Sequence, residues 1–344
     1  MRVLAIESSC DDTAAAVLVD GHVRASVVAS QDAVHHAYGG VVPELASRSH
    51  MRALTPTITQ ALDEAGLSLD AIDAVAATYG PGLVGSLLVG LCAAKAIAYA
   101  RQLPFIGVNH LEGHLLSVQL ERPVAFPYVA LLVSGGHTSL YLAHALGEYT
   151  ALGATRDDAA GEAFDKVAKL LGLGYPGGRL IDALARDGDA HAIRFPRARL
   201  KTNRADARFD FSFSGIKTAV AIYLRERRAE AAAAADIAAS FQEAVIDMLL
   251  EPALASVRHA GVQRLVIAGG VSANSRLRER ALAAAADLGV EVIIPPLRYC
   301  TDNAAMIGLA GSYRLARGER HDLSLNAAAI ADLGRPTPPS DCLQ

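Results

Sequence analysis

Hydrophobic and polar positions along the chain follow a pattern that occurs twice. Residues 2–29 predict three strands, because apolar runs rich in Val, Ala and Leu are separated by an acidic turn and a Gly-His turn. Residues 128–152 repeat this arrangement around a Gly-Gly-His turn. In each half, helical segments and two further strands follow, and the first of these strands ends in glycines before a helix. We interpret the repetition as an internal duplication.

Three antiparallel strands followed by two strands with crossover helices are the layout of a ribonuclease-H-like unit. Two such units predict the α/β architecture of the actin-like ATPase (ASKHA) superfamily, with a ligand cleft between the halves. The predicted halves are residues 1–127 and 128–318, and a helical insert is predicted at about residues 155–250. Residues 319–344 are expected to form a flexible C-terminal tail. The alternative is a doubly wound α/β protein in which the repetition is accidental.

Composition narrows the classes of protein that fit this pattern. The chain has 344 residues, of which 52% are hydrophobic, as in sheets covered on both faces. A net charge of −4 argues against a protein that coats nucleic acid by general electrostatics, although a local basic patch such as residues 194–208 remains available. The apolar run at residues 82–100 contains Gly, Ser and Lys95, which predicts a buried helix rather than a membrane span. Four separated cysteines without a C-x-x-C pattern predict neither a disulfide framework nor a zinc ribbon, and they fit a cytoplasmic protein.

The stretch VNHLEGHLLS carries two histidines at helical spacing. His110 and His114 would lie about 40° apart on one helix face, which suits two ligands of one metal. A zinc protease needs its Glu directly after the first His, whereas Glu112 comes one position later and faces the opposite side. The sequence therefore disfavours a metalloprotease. On this motif alone, a purely structural role for the two histidines is an alternative.

The duplication adds a third potential ligand. If the halves are related by a pseudo-twofold axis, the segments after their fifth strands are equivalent, and one carries the two histidines while the other carries Asp302. Two His and one Asp with open coordination positions suit iron or zinc. The alternative is that Asp302 is an ordinary helix N-cap.

Two glycine turns predict an anion site. Residues 131–138 follow a buried strand, and Gly269, Gly270 and Asn274 lie where another strand leads into a helix N-terminus. Either turn alone is equally compatible with ordinary turn chemistry. Their matching places in a duplicated fold, together with the acidic SSCDDT hairpin, favour a nucleotide cleft. Asp165 could bind ribose hydroxyls there, or it could belong to a solvated acidic helix face.

Together these motifs resemble one family, the TsaD (formerly Gcp) proteins, which are tRNA N6-adenosine threonylcarbamoyltransferases of the actin-like ATPase superfamily. The resemblance covers residues 1 to about 318 in order. Asp12 stands where the family pattern has Glu, and the tail beyond Gly318 matches nothing in the pattern. The matching stretches include LAIESSCDDT, GPGLVGSLLVG, NHLEGHLLS, LLVSGGHT, DDAAGEAFDKVAKLLGLGYPGG, DFSFSGIKTA, AGGVSANSRLR and CTDNAAMI.

The resemblance implies transfer of a threonylcarbamoyl group from threonylcarbamoyl-adenylate to the N6 amine of the adenosine 3′ of the anticodon, with release of AMP. The tRNAs concerned read codons that begin with A. It also implies one divalent metal per subunit, Fe(II) in preference to Zn(II), bound by His110, His114 and Asp302. The substrate-binding residues that it implies are Leu132, Val133, Ser134, Gly135, Gly136, Asp165, Gly178, Asp182 and Asn274.

The implied partners are tRNA, a TsaB-like paralogous subunit and a TsaE-like ATPase, and no membrane association is expected. Asp11, in the first hairpin, is our candidate for orienting or deprotonating the attacking amine, with an ordinary acidic turn residue as the alternative. One rival function is an ATP-dependent kinase or chaperone-type ATPase of the same fold, which would not need the histidines. Another is a non-catalytic scaffold, which should lack the metal ligands.

Overall fold

The computed structural model describes residues 1–198, 208–226 and 233–333, and the chain divides into two compact units. The first unit combines Met1–Pro123 with Asp302–Gln344, and the second is Val124–Thr301. Each unit is built around a five-stranded sheet. The sequence-based boundaries placed residues 302–318 in the second half, whereas the structure assigns them to the first unit.

The sheet of the first unit has the strand order β3-β2-β1-β4-β5. Strands β1 to β3 form an antiparallel meander, and β4 and β5 run parallel to β1 after helical crossovers. This is the predicted ribonuclease-H-like layout. The strands are β1 (Arg2–Glu7), β2 (Asp12–Val19), β3 (His22–Ser30), β4 (Ala74–Gly80) and β5 (Phe105–Asn109).

Helices cover both faces of this sheet. Helices α2 and α3 pack on one face, where Leu4 and Ile6 of β1 point, and α10 packs on the other face, where Ala5 points. The helices of the first unit are α1 (Asp32–His36), α2 (Pro43–Ala65), α3 (Val84–Arg101), α4 (His110–Leu116) and α10 (Ala304–Ala316).

Two glycines allow α10 to approach the sheet closely. A Cβ atom at Gly308 would clash with Leu18 of β2, and one at Gly311 would lie 2.7 Å from the Cβ of Ala76 in β4. Because protein interiors are close-packed, larger side chains at these positions would push the helix away from the strands. The chain therefore returns from the second unit to cover the first sheet.

Helix α3 is long and apolar enough to cross a membrane by length and composition alone. In the structure it packs against β4 and α2 and buries Leu87, Leu91 and Ala94. The expected buried helix is therefore buried on one face only, because Val84, Leu88 and Tyr99 remain exposed.

The second unit repeats the layout with the strand order β10-β9-β6-β7-β8. Strands β6 to β8 are antiparallel, and β9 and β10 run parallel to β6. Its strands are β6 (Tyr128–Val133), β7 (Thr138–Ala145), β8 (Glu148–Ala154), β9 (Arg264–Ala268) and β10 (Glu291–Ile293).

A helical insert between β8 and β9 supplies much of the second core. Phe164 of the first helix of the insert, Phe213 directly before its third helix and Phe241 of its fourth helix are buried together. The helices of this unit are α5 (Ala160–Leu170), α6 (Gly177–Ala185), α7 (Ser214–Glu226), α8 (Ala234–Ala260) and α9 (Ser275–Ala286). The insert thus continues to residue 260, beyond the expected end near residue 250.

Residues 320–333, here called the C-terminal strap, pack on the first unit. The N–H of His321 donates to the carbonyl of Phe105 (2.9 Å), and the N–H of Ala328 donates to the carbonyl of Tyr79 (2.8 Å). β5 is the edge strand of its sheet, so the strap satisfies backbone groups that an open edge would leave unpaired. The expectation of a flexible tail from residue 319 is therefore corrected for these residues. Residues 334–344 lie outside the described part of the chain.

Candidate metal centre and substrate residues

His110, His114 and Asp302 form a compact donor set in the first unit. Their ligand atoms all lie within 4.8 Å of one another. Asp302 Oδ1 is 3.0 Å from His114 Nε2 and 3.6 Å from His110 Nε2. Because metal–nitrogen bonds are about 2.1 Å long, one ion can contact atoms at these separations. The structure thus brings together the three ligands expected from the sequence.

The chemistry of this donor set fits a divalent cation. Both histidines are buried, and Nδ1 of His114 has no hydrogen-bond partner among the residues that the structure describes. Gathering polar groups in the interior carries a desolvation cost, which a bound cation offsets. Two imidazoles and one carboxylate match the ligand preferences of iron or zinc.

Glu7, at the end of β1, orients the first histidine. Its fully buried Oε2 lies 3.1 Å from Nδ1 of His110 and accepts a 2.6 Å hydrogen bond from the hydroxyl of Thr78. The hydroxyl of Ser9 is also 3.1 Å from Nδ1. With the Nδ1 proton shared with Glu7, Nε2 is the ring nitrogen nearest Asp302, which is the arrangement in which a carboxylate sets the tautomer of a metal-binding histidine.

The charges around His110 shift its titration. Burial alone lowers its pKa, but the carboxylates of Asp302 and Glu7 outweigh burial and raise the pKa to about 9. Burial favours the neutral form of Glu7, yet His110 lowers the pKa of that carboxyl overall. For His114, burial prevails and lowers the pKa. The two rings therefore differ, because only His110 has a carboxylate on each side.

Glu112 has a structural role away from the donor set. Its side chain is buried, and its two carboxylate oxygens accept hydrogen bonds from Arg314 of α10 at 2.9 and 3.1 Å. The carboxylate is thus engaged on the opposite side of α4 from the histidines, as helix geometry predicted. This geometry excludes Glu112 from the role of a protease general base.

The hairpin that carries Asp11 is anchored by His50 of α2. The Nε2–H of His50 donates to the carbonyl of Cys10 (3.0 Å), so its Nδ1 accepts from the Thr13 hydroxyl (2.7 Å). Burial, followed by the negative charges of Asp302 and Asp11, raises the pKa of the Asp12 carboxyl to about 7. The hairpin therefore shares its electrostatic environment with Asp302.

The first group of predicted substrate residues lies at the end of β6 in the second unit. Leu132 and Val133 are buried in the strand, and the following turn exposes Gly135 and Gly136. At both glycines the position of a Cβ is open space, so the backbone of the turn is accessible. Ser134 starts the turn, and its hydroxyl accepts from the N–H of His137 (3.2 Å).

The remaining predicted substrate residues surround helices α5, α6 and α9. Asp165 Oδ1 accepts from the N–H of Gly177 (2.7 Å), immediately before Gly178 at the start of α6. Asp182 accepts from the hydroxyl of Ser275 (2.8 Å), the first residue of α9. Asn274 caps α9 through the N–H of Leu277 and donates to Gln242 (2.6 Å). Contacts with the N-terminal ends of α6 and α9 fix these side chains. Their role in binding stays a prediction.

Several residues that build the metal centre were not identified from the sequence. Glu7, Ser9 and Thr78 hold the His110 ring, and Asn109 caps α4 through the N–H of Leu111 (2.9 Å). An acid at the end of a buried strand and an Asn directly before a helix were the available signals. His50, which anchors the Asp11 hairpin, has no local signal because its partners are 37 and 40 residues away.

Comparison with known proteins identifies close relatives. The family model described as TsaD, tRNA N6-adenosine threonylcarbamoyltransferase, matches residues 22–309. A protein of that name from Anaeromyxobacter dehalogenans (strain 2CP-C) is 57% identical over 330 residues, covering 95% of this chain and 98% of the relative. Another of that name, from Geobacter sp. (strain M21), is 54% identical over 337 residues and covers 97% of each chain.

Solved structures share the fold at low identity. Full-length HypF in its phosphate- and nucleotide-bound form has a TM-score of 0.62 and 14% identity, covering 92% of this chain and 47% of that one. The activator of the 2-hydroxyisocaproyl-CoA dehydratase from Clostridium difficile has a TM-score of 0.53 and 16% identity, covering 94% and 99%. These neighbours, with the two five-stranded sheets, show the actin-like ATPase fold.

Replacing Glu7 by Gln should weaken metal binding about tenfold, the lower end of the effect of removing an outer-shell carboxylate. The neutral amide accepts a weaker hydrogen bond from His110 Nδ1 and no longer fixes its tautomer. The measurement is a titration of the metal-free protein with Co²⁺, followed by the visible absorption of the bound ion.

Glu112→Gln is the matched control, because it removes an equally buried carboxylate from the same helix that carries the histidines. It should lower the free energy of unfolding, since Arg314 loses a partner, and should leave Co²⁺ affinity within twofold. Equal losses of affinity in both variants would contradict a specific role for Glu7.

Proposed function

Because the chain belongs to the tRNA N6-adenosine threonylcarbamoyltransferase family, we propose that it modifies tRNA at the N6 amine of the adenosine 3′ of the anticodon, in tRNAs that read codons beginning with A. The donor is threonylcarbamoyl-adenylate, and AMP is released. Two observations carry the proposal. This chain is 57% identical to a relative of that name, and its own His110, His114 and Asp302 form a donor set. The alternative of an ATP-dependent kinase or chaperone-type ATPase is not favoured.

The proposed reaction is an acyl transfer. The amine nitrogen attacks the carbamoyl carbon of the mixed anhydride and forms a C–N bond. The bond from that carbon to the phosphate oxygen breaks, AMP leaves as an anion, and the amine loses one proton. Because the donor is already activated, the protein needs mainly to position the reactants and to stabilise the charge that develops on the donor oxygens.

The metal-binding part of the proposal concerns the first unit. His110, His114 and Asp302 would hold one divalent ion per chain, Fe(II) in preference to Zn(II), with Glu7 fixing the His110 ring. The bound ion would supply Lewis-acid stabilisation of donor oxygens. A mixed nitrogen and oxygen ligand set supports this choice of metals.

The nucleotide-binding part of the proposal concerns the second unit. The exposed backbone of Gly135 and Gly136 can donate to phosphate oxygens without a side chain intervening. Asp165 and Asp182 are carboxylates that could accept hydrogen bonds from ribose hydroxyls, and the N-terminus of α9 at Asn274 favours negative charge. The complete set comprises Leu132, Val133, Ser134, Gly135, Gly136, Asp165, Gly178, Asp182 and Asn274.

Asp11 is the proposed group for orienting or deprotonating the attacking amine. Its hairpin is fixed by His50, and its charge contributes to raising the pKa of Asp12. A carboxylate held in a fixed hairpin can accept a proton from an amine that becomes positively charged during attack. Asp12 is the neighbouring acid against which this assignment has to be compared.

We further propose a TsaB-like subunit and a TsaE-like ATPase as partners, in the cytoplasm. The first unit offers a surface for the former on α3, where Val84, Leu88 and Cys92 follow each other at a spacing of four residues. Val84 is 43% exposed, Leu88 is 37% exposed, and Cys92 is exposed as well. An apolar stripe on one helix face suits packing against a helix of another subunit.

Full reconstitution tests the proposed function. Purified protein should form the modified nucleoside when given threonylcarbamoyl-adenylate, unmodified tRNA, Fe(II) and both partners, with mass spectrometry of the digested tRNA as the measurement. Chelation of the metal, or His110→Ala combined with His114→Ala, should reduce the product at least a hundredfold, about 3 kcal/mol of transition-state stabilisation. ATP hydrolysis without tRNA modification by the wild type would instead support the ATPase alternative, and undiminished product from the double variant would remove the metal centre from the reaction.

Single-turnover transfer tests Asp11. Asp11→Asn should slow the transfer about a hundredfold, the lower range for loss of general base catalysis, while donor binding changes little. Asp12→Asn serves as the matched variant, because it neutralises the adjacent carboxyl of the same hairpin. A full transfer rate for Asp11→Asn would exclude Asp11, and a loss confined to Asp12→Asn would assign the role to Asp12.

Leu88→Glu tests the proposed partner surface. A charge in the middle of the exposed stripe should weaken association with the TsaB-like subunit at least tenfold, measured by isothermal titration calorimetry, because the carboxylate would be desolvated at the interface. Leu282→Glu is the control, since this residue is a leucine of α9 in the second unit and is 55% exposed. Equal affinities for Leu88→Glu and the wild type would place the partner elsewhere.

A further inference from the structure

We propose that the C-terminal strap positions the metal-bearing helix, and that Asn109 transmits its effect. The strap lies beyond residue 309, where the match of the family model ends. Near its last described residues, the strap nevertheless contacts the start of α4, the helix that carries both histidines. This inference rests on the metal-binding part of the proposed function.

Asn109 makes two contacts that require one orientation of its amide. The side-chain oxygen accepts from the N–H groups of Leu111 (2.9 Å) and Glu112 (3.4 Å), which caps α4. The side-chain nitrogen donates to the carbonyl of Ala331 in the strap (3.1 Å). The residue is buried, so water does not replace the strap carbonyl easily. The strap thus holds the amide in the orientation that caps the metal-bearing helix.

The strap reaches Asn109 along a series of backbone contacts. Its N-terminal part extends the edge strand β5, where the N–H of Gly107 donates to His321 Nδ1 (3.0 Å). Further along, the N–H of Gly82 donates to the carbonyl of Ala329 (3.3 Å). The strap therefore contacts both ends of β5 and the turn after β4, and the C-terminal end of β5 leads directly into the helix that carries the histidines.

Glycines leave room for this path. A Cβ at Gly107 would overlap the side chain of Leu325, and a Cβ at Gly80 would overlap the backbone carbonyl of Ala328. The three nearest atoms to a Cβ at Gly80 all belong to Ala328, so an added methyl group there meets the strap before anything else. Such close approach shows that the strap is packed into the first unit as part of its structure.

A helix of seven residues has little stability of its own, and its first turn depends on its cap. His110 is the first residue of this helix, directly after Asn109, so movement of the cap moves a metal ligand. Metal affinity depends strongly on groups that orient the ligands without contacting the ion. Asn109 is accordingly a positioning residue for the metal centre.

Co²⁺ titration of the full chain tests the inference, with the visible absorption of the bound ion as the readout. Asn109→Ser retains a good N-cap but cannot reach Ala331, and Gly80→Ala, at the position paired with Asn109 in the sheet, displaces the strap while keeping the Asn109 amide. Each variant should bind Co²⁺ about fivefold more weakly, the effect of one neutral hydrogen bond. The control is Gly215→Ala, because a methyl group at this glycine meets open space.

The double variant distinguishes a shared route from two separate effects. If the strap acts through Asn109, the combined variant should bind Co²⁺ within twofold of either single variant, because both changes remove the same contact. Wild-type affinity in either single variant, or losses that multiply in the double variant, would overturn the inference. Circular dichroism confirms that each protein is folded. Failure of the wild type to bind Co²⁺ would instead contradict the metal-binding part of the proposed function.

Discussion

The close packing of α10 against the first sheet is the constraint on which the candidate metal centre depends. Gly308 and Gly311 remove the side chains that would separate the helix from β2 and β4. Asp302 lies two residues before this helix, so its position follows from where the helix docks, although His114 is 188 residues away along the chain. Arg314 then joins α10 to Glu112 on the far side of α4. Helix α4 and the segment that carries Asp302 are thereby joined by the His114–Asp302 contact on one side of α4 and by the Arg314–Glu112 pair on the other.

The surroundings of His110 follow from the topology of the same sheet. Glu7 ends β1, Thr78 lies near the end of β4, and Asn109 ends β5. The carboxyl ends of parallel strands meet at one edge of a sheet, where α/β proteins commonly place their ligand sites. Glu7 can therefore contact His110 across a gap of 103 residues in the sequence. A buried carboxylate is costly on its own, and the contacts with His110 and Thr78 compensate for it.

The fold and the site carry different information about function. Structures with 14% and 16% identity share the architecture, and a common architecture does not select one activity. The family is instead shown by relatives that are 54% and 57% identical over nearly the whole chain. The donor set gives that assignment a chemical basis, because two histidines and an aspartate are needed for a metal centre and not for nucleotide binding. Glu112, paired with Arg314, removes the protease interpretation on geometric grounds.

The sequence by itself determined the two meanders, the following parallel strands, the helical face shared by His110 and His114, and the opposite orientation of Glu112, because strand and helix periodicities are local. It also indicated Asp302 as a ligand through the duplication. Only the tertiary structure decided that residues 302–333 join the first unit, since an apolar helix face does not specify which sheet it covers. The contacts of Glu7, His50 and Asn109 could not be predicted from local sequence patterns either. Each one joins residues that are far apart in the sequence and that only packing brings together.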